Sequence, residues 1–215
     1  MSVVIVNPKT AAAVASSLLE IGAIKLSHQK PFTWSSGWKS PVYCDNRLSL
    51  SYPRVRDFIR DALTATVRQH FADAQYIAGV ATAGVPQGAL VADQLSLPYV
   101  YVRPKPKDHG MENLIEGKVD PGKKVVLVED LISTGGSSIK AAQALRDAKF
   151  EVIGMVAIFT YGFDTATTNF EAAKIPLICL SDFNSLLPEA IKQNFMSEAD
   201  LTYVQNWRKD PANWK

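Results

Sequence analysis

Cysteine is scarce in this chain, with Cys44 and Cys179 alone among 215 residues and no CxxC spacing. Neither a disulfide framework nor a structural zinc site therefore has support. No apolar run reaches the ~18 residues of a membrane span. The start, Met1-Ser2-Val3-Val4-Ile5-Val6-Asn7-Pro8, lacks the basic region and long apolar stretch of a signal peptide. An excess of one charge is missing too: 23 Lys and Arg against 21 Asp and Glu leave +2, too balanced to advertise nucleic acid or an acidic membrane. No repeat, low-complexity tract or linker stands out. These absences predict a cytoplasmic protein with reduced thiols and no nucleic-acid or membrane partner.

What is present is globular. A hydrophobic fraction of 47% and a charged fraction of 20% exclude disorder, collagen and coiled coil as descriptions of the whole chain. At ~150 residues per domain the length suggests one domain, residues 1–215. A chain of this size buries about 70% of its surface, enough for a core without staples. Residues 10–21 show helical spacing of Ala12, Val14, Leu18, Leu19 and Ile21, with Gly22 as a stop. Residues 20–50 differ, with short extended pieces rich in aromatic residues, Ser, Gly and Pro that read as a small hood over the main body. From Pro53 an alternation begins. Helices are expected over 53–70, 86–95, 137–147, 165–173, 185–194 and 198–208. Strands are expected over 76–80, 99–103, 124–129, 151–159 and 176–180. Apolar strands alternating with helices predict an α/β fold, a mainly parallel sheet flanked by helices on both faces. Ligands of such sheets collect beyond the carboxyl ends of the strands.

The chemistry concentrates after the strand at 124–129. Four aliphatics (Val125 to Val128) lead into Glu129-Asp130-Leu131-Ile132, then Ser133-Thr134-Gly135-Gly136-Ser137, then a helix. A helix N-terminus offers unpaired N–H groups and partial positive charge, which suits a phosphate. Gly135 and Gly136 let the backbone approach an anion, and Ser133, Thr134 and Ser137 add hydroxyl donors. Glu129 and Asp130 repel phosphate, but they accept hydrogen bonds from sugar hydroxyls beside it. A sugar phosphate satisfies both halves. An acidic pair can also be a cap or a solvated loop, and the glycine turn a plain connection; the order of strand, acids, turn and helix favours the ligand site. It is neither a Walker A loop nor GxGxxG.

This segment resembles the phosphoribosyl-pyrophosphate (PRPP) motif of type I phosphoribosyltransferases. The resemblance implies that family's fold, with a hood over the site, and implies that residues 129–137 bind the ribose 5-phosphate part of PRPP, Asp130 taking part in catalysis. It also implies Mg²⁺ as cofactor, held mainly through PRPP, with Asp130 a candidate contact and no direct protein metal site; Glu129 and Asp130 can also hold Mg²⁺ indirectly.

Two further stretches narrow the resemblance. Arg103-Pro104-Lys105-Pro106-Lys107-Asp108-His109-Gly110 packs three cations and a histidine into a long loop. Such a loop can be merely solvated, yet long loops in compact α/β domains are more often functional. It is similar to the catalytic loop of orotate phosphoribosyltransferases. Arg103, Lys107 and His109 are then PRPP-binding, with Lys107 and His109 catalytic on the pyrophosphate leaving group. The same resemblance implies a homodimer in which loop 103–117 reaches the neighbouring site. Pro104 departs from the pattern, where better-known members carry a second Lys. Phe32-Thr33-Trp34-Ser35-Ser36-Gly37-Trp38-Lys39-Ser40-Pro41-Val42-Tyr43 resembles the same family's amino-terminal signature, with Ser35 in place of a common Lys. Thr160-Tyr161-Gly162-Phe163 lacks an Arg that many members use for orotate. Ser133 and Arg47 are the expected orotate-binding residues, Arg47 balancing the carboxylate unless it serves an ion pair of the fold. Ala81-Thr82-Ala83-Gly84-Val85-Pro86 matches the place of the pyrophosphate loop.

The reaction implied is transfer of the phosphoribosyl group from PRPP to orotate, giving orotidine 5′-phosphate and pyrophosphate. A purine phosphoribosyltransferase is the alternative enzyme, and a PRPP-sensing regulator the alternative of another class. The resemblance spans about residues 20–165. Residues 166–215 are expected to complete the sheet edge and pack helices on it, Trp207 and Trp214 serving packing or a dimer contact.

Overall fold

The structure is a computed structural model that describes residues 3–27, 30–34, 37–105 and 114–214. The chain runs β1 (Val4–Ile5), α1 (Pro8–Glu20), β2 (Ile24–Leu26), β3 (Phe32–Thr33), β4 (Lys39–Ser40), β5 (Val42–Cys44), α2 (Pro53–His70), β6 (Tyr76–Val80), α3 (Gly84–Leu95), β7 (Tyr99–Val102), β8 (Ile115–Glu116), β9 (Lys124–Ile132), α4 (Gly136–Asp147), β10 (Glu151–Thr160), α5 (Asp164–Ala172), β11 (Leu177–Asp182), α6 (Phe183–Lys192) and α7 (Leu201–Lys209). Seven strands form one sheet in the order β1-β11-β10-β9-β6-β7-β8. All neighbours are parallel except β7 and β8. The expected α/β architecture is the observed one.

The aliphatic run of β9 explains the layering. Its side chains alternate between faces, and both faces are covered. Val126 and Val128 pack with residues of α1, α2, α3, α6 and α7. Val125 and Leu127 pack with residues of α4 and α5 on the other side.

Two edges were not expected. Val4 pairs with Ile178 and Ile5 with Cys179, making β1 the outer strand. At the other edge Tyr101 pairs with Glu116 and Val102 with Ile115, antiparallel, and the Arg103 N–H donates to the Leu114 carbonyl at 2.8 Å. Both edge strands are two residues long, too short for any periodic signal.

The hood consists of two small antiparallel ladders, β2 with β5 and β3 with β4. It is tied to the carboxyl-terminal helices through Trp207, which is fully buried and donates its indole N–H to the Lys39 carbonyl at 3.1 Å. Around it stand Trp34, Tyr161, Phe163 and Phe183, with ring centroids 5.6–5.7 Å from its own. Residues 166–215 thus do more than finish the sheet: α7 anchors the hood. Cys44 and Cys179 are both free thiols.

Candidate active site

β9 continues three residues past its expected end and carries the acidic pair inside the strand, not at its tip. β10 supports this extension, pairing as far as Thr160 with Ile132. On the other side β6 accompanies β9 only to the pair Gly79 and Val128. Glu129 and Asp130 therefore lie where one flank of β9 is open. Glu129 is 5% exposed. Its Oε1 accepts from the Asp130 N–H at 3.0 Å and its Oε2 from the Ser138 hydroxyl at 2.9 Å. Burial first, and the neighbouring Asp130 charge second, push the Glu129 carboxyl well above its usual value, while the Ser138 hydrogen bond pulls it down. Burial also raises Asp130. Ser138→Ala removes a donor to the charged form. If the pair acts on a bound ligand, the acid limb of its pH–rate profile is then expected to move to higher pH with its plateau kept. A pH–rate profile with an unmoved limb counts against this role.

The turn at 133–137 is shaped by α5. Gly135 has φ +80°, and a Cβ there lies 2.6 Å from the Phe170 ring, so glycine is required on both counts. The Asn169 amide donates to the Thr134 carbonyl at 2.9 Å. No side chain caps α4, nor does one cap α3. By contrast Asn7 caps α1 and Asp182 caps α6. The N-terminus of α4 thus keeps first-turn N–H groups available beside the acids; in α3 the Val85 N–H donates to the Thr82 carbonyl at 3.3 Å and Pro86 has none, so that helix offers chiefly the Gly84 N–H and the positive end of its dipole.

These parts enclose a cavity of about 320 Å³ lined by Cys44, Asp45, Arg47, Ala81–Ala83, Glu129–Leu131 and Ser137. Next to it lies an aromatic cavity of about 440 Å³ lined by Thr33, Trp34, Tyr43, Cys44, Leu131, Ser133 and Tyr161. Cys44 and Leu131 line both, so the two spaces lie side by side. A third, of about 580 Å³, shares Ala81 and Ser137 with the first and carries Arg103 and Lys140 on its walls. A cavity of about 520 Å³ at the opposite end of the strands, lined partly by His70, Asp73, Lys124 and Glu151, is remote from the acids.

The structure brings Glu129, Asp130, Leu131 and Ser137 together with the turn at 81–83. Ser133 lies instead on the aromatic cavity, the side expected of a base contact. The Ile132 side chain is buried in the core beneath α4, leaving only its main chain near the turn. Thr134 is held by its carbonyl, and Gly135 and Gly136 open α4. Arg47 grips Asp45 with Nε at 2.6 Å and Nη2 at 2.9 Å and lines the acid cavity, not the aromatic one. Arg103 faces Glu116 at 3.5 Å on the wall of the third cavity. Lys107 and His109 lie outside the described residues. Sequence reasoning missed Ser138, Asn46, Asn169 and Phe170. A serine one residue past the turn was the single signal available.

A metal held by protein alone needs several hard donors. Among the described residues no group of three or more His, Cys, Asp or Glu comes together. The acid pair fits a cation whose remaining ligands come from a bound phosphorylated sugar.

Comparison with known proteins agrees with this geometry. The phosphoribosyl transferase domain model matches residues 52–184. The chain belongs to the phosphoribosyltransferase family, and its parallel sheet and flanking helices are the type I fold. Its relatives select one branch. The orotate phosphoribosyltransferase of Cytophaga hutchinsonii is 55% identical over 202 residues, covering 94% of this chain and 97% of that protein. The orotate phosphoribosyltransferase of Bacteroides fragilis is 56% identical over 201 residues, covering 94% and 95%. A crystal structure of orotate phosphoribosyltransferase from Aeropyrum pernix superposes with a TM-score of 0.74 at 29% identity, covering 86% of this chain and 99% of that one. The similarity therefore extends well beyond residues 20–165. No helix among the described residues is long and apolar enough to cross a membrane.

Proposed function

We propose that this chain, as one domain over residues 1–215, transfers the 5-phosphoribosyl group from PRPP to orotate. The products are orotidine 5′-phosphate and pyrophosphate. One observation carries the reading: a cavity walled by the acids and by the amino ends of α3 and α4 lies beside an aromatic cavity, with Cys44 and Leu131 lining both. Sugar phosphate fits the first and a planar base the second, with the ribose C1′ at their junction.

In this assignment the 5-phosphate sits on the first-turn N–H groups of α4 and the hydroxyls of Thr134 and Ser137. Glu129 and Asp130 accept from the ribose 2′- and 3′-hydroxyls. The C1′–N1 bond forms as the bond from C1′ to the pyrophosphate oxygen breaks, and pyrophosphate leaves with the electron pair. Positive charge grows on the ribose ring, next to the acids. Negative charge grows on the leaving group, near the backbone of 81–83, with Arg103, Lys107 and His109 supplied by the loop. Arg103 must exchange Glu116 for pyrophosphate to do so. Mg²⁺ would be held mainly by PRPP itself with Asp130 beside it, and would supply charge neutralisation for the leaving group. Ser133 and Tyr43 face the base. Arg47 is assigned to the sugar side, since Asp45 holds it there. The assembly is a homodimer in a cytoplasmic setting, loop 103–117 completing the partner's site.

The purified chain with Mg²⁺ and PRPP is expected to deplete orotate absorbance. It is expected to leave adenine, hypoxanthine and xanthine unchanged. Turnover of a purine in place of orotate overturns the base assignment.

A further inference from the structure

The acid cavity has three walls from three separate stretches of chain: 44–47, 81–83 and 129–137. Among the described residues, no strand of the β6 side runs along β9 beyond Val128. What spans that gap is a buried polar relay. Gln87, in the first turn of α3, donates Nε2 to Ser49 Oγ at 3.2 Å. Ser49 Oγ donates to the Asn46 carbonyl at 2.6 Å. Asn46 donates its own Nδ2 to the Asp130 carbonyl at 2.7 Å, reaching 84 residues along the chain. The Cys44 thiol donates to Asn46 Oδ1 at 3.2 Å, which sets the orientation of that amide. Gln87, Ser49 and Asn46 are each at most 1% exposed.

Apolar side chains of like size would fill this space without desolvating polar groups, so packing alone gives no reason for the relay. Gln87 is the clearest case, since its buried Oε1 has no hydrogen-bond partner. That is a standing cost to the fold, and it is accepted where the Nε2 of the same amide ties α3 to the hood. The relay starts three residues after Gly84, on the helix that opens from the turn at 81–83. It ends on the backbone of Asp130. It thus connects, by directed bonds, the two walls that hold opposite ends of the scissile bond.

We propose that Gln87, Ser49 and Asn46 are positioning residues that fix the distance between the pyrophosphate turn and the acid pair, and so set the affinity for PRPP. This rests on the assignment of the acid cavity to PRPP. The decisive variant is Gln87→Met, which keeps the volume and removes both the donor and the orphaned oxygen. Its ligand-free melting temperature is expected to equal or exceed that of the wild type. Its KM for PRPP is expected to rise about tenfold, the worth of one positioning hydrogen bond, with KM for orotate unchanged. The melting shift produced by PRPP with Mg²⁺ is expected to shrink in parallel. Asn46→Ala, if folded, is expected to show the same split. A Gln87→Met protein with wild-type KM for PRPP and a wild-type melting shift overturns the relay. So does a variant in which both KM values rise together with a lower ligand-free melting temperature, because that pattern is packing alone. A wild type whose melting temperature ignores PRPP overturns the assignment beneath the proposal. A wild type that responds to PRPP but leaves orotate untouched overturns only the base assignment, and the melting shift still decides the relay.

Discussion

Asp130→Asn is expected to lower kcat/KM for PRPP about 100-fold or more while leaving the fold intact. The substitution keeps shape but removes the negative charge, and it turns one accepting atom into a donor pointed at sugar hydroxyls. A charge-assisted hydrogen bond is worth about 1.5–3 kcal/mol, and in the proposed assignment the charge also faces the ring that becomes positive as the leaving group departs. Stability is expected to move the other way. Burial raises the Asp130 pKa above its unfolded value. The folded chain therefore holds that proton more tightly, and its stability falls as pH rises through the interval between the two values. At neutral pH the charge is a burden on the fold that Asn removes. Steady-state kinetics and a melting curve test both halves. Wild-type kcat/KM would remove Asp130 from the sugar, and a large fall in melting temperature would make it a structural residue.

Trp207→Ala is expected to cost about 3–5 kcal/mol, the range for emptying a fully buried large aromatic site. In a chain of this size that corresponds to a fall on the order of 10 °C in melting temperature. The loss has a direction. Trp207 packs against Trp34 and Tyr161, which line the aromatic cavity, and its indole N–H holds the Lys39 carbonyl of β4. The KM for orotate is therefore expected to rise more than the KM for PRPP, whose assigned site on β9 and α4 lies outside this cluster. Calorimetry with kinetics in each substrate measures this. A melting temperature within about 2 °C of wild type would show that the cavity refills and the anchor is dispensable.

The main sheet was legible because its signals are local. The four aliphatics of β9 can only be a strand covered on both faces. The acids, glycines and hydroxyls that follow are contiguous, so one stretch of sequence displayed most of the candidate site. Two positions differ from the expected ones for physical reasons. Charged residues at 129 and 130 looked like a strand's end, but β10 runs alongside them and extends the ladder to Ile132. Arg47 looked available for a carboxylate ligand, but Asp45, two residues back, holds its guanidinium with two short bonds. The rest was not readable, because it consists of contacts between distant positions that leave no period. Asn46 with Asp130, Gln87 with Ser49, and Trp207 with Lys39 are of this kind. Phe170 beneath Gly135 is another; the sequence offers the glycine and hides the ring that demands it.

The shared wall at Cys44 and Leu131 bears on inhibition. With these two side chains lining both chambers, a single compound carrying a flat heteroaromatic head and a phosphorylated polyol tail is expected to reach from one to the other. Tethering the halves means that rigid-body freedom is lost once instead of twice, so such a chimera gains affinity over its separate fragments without any added contact.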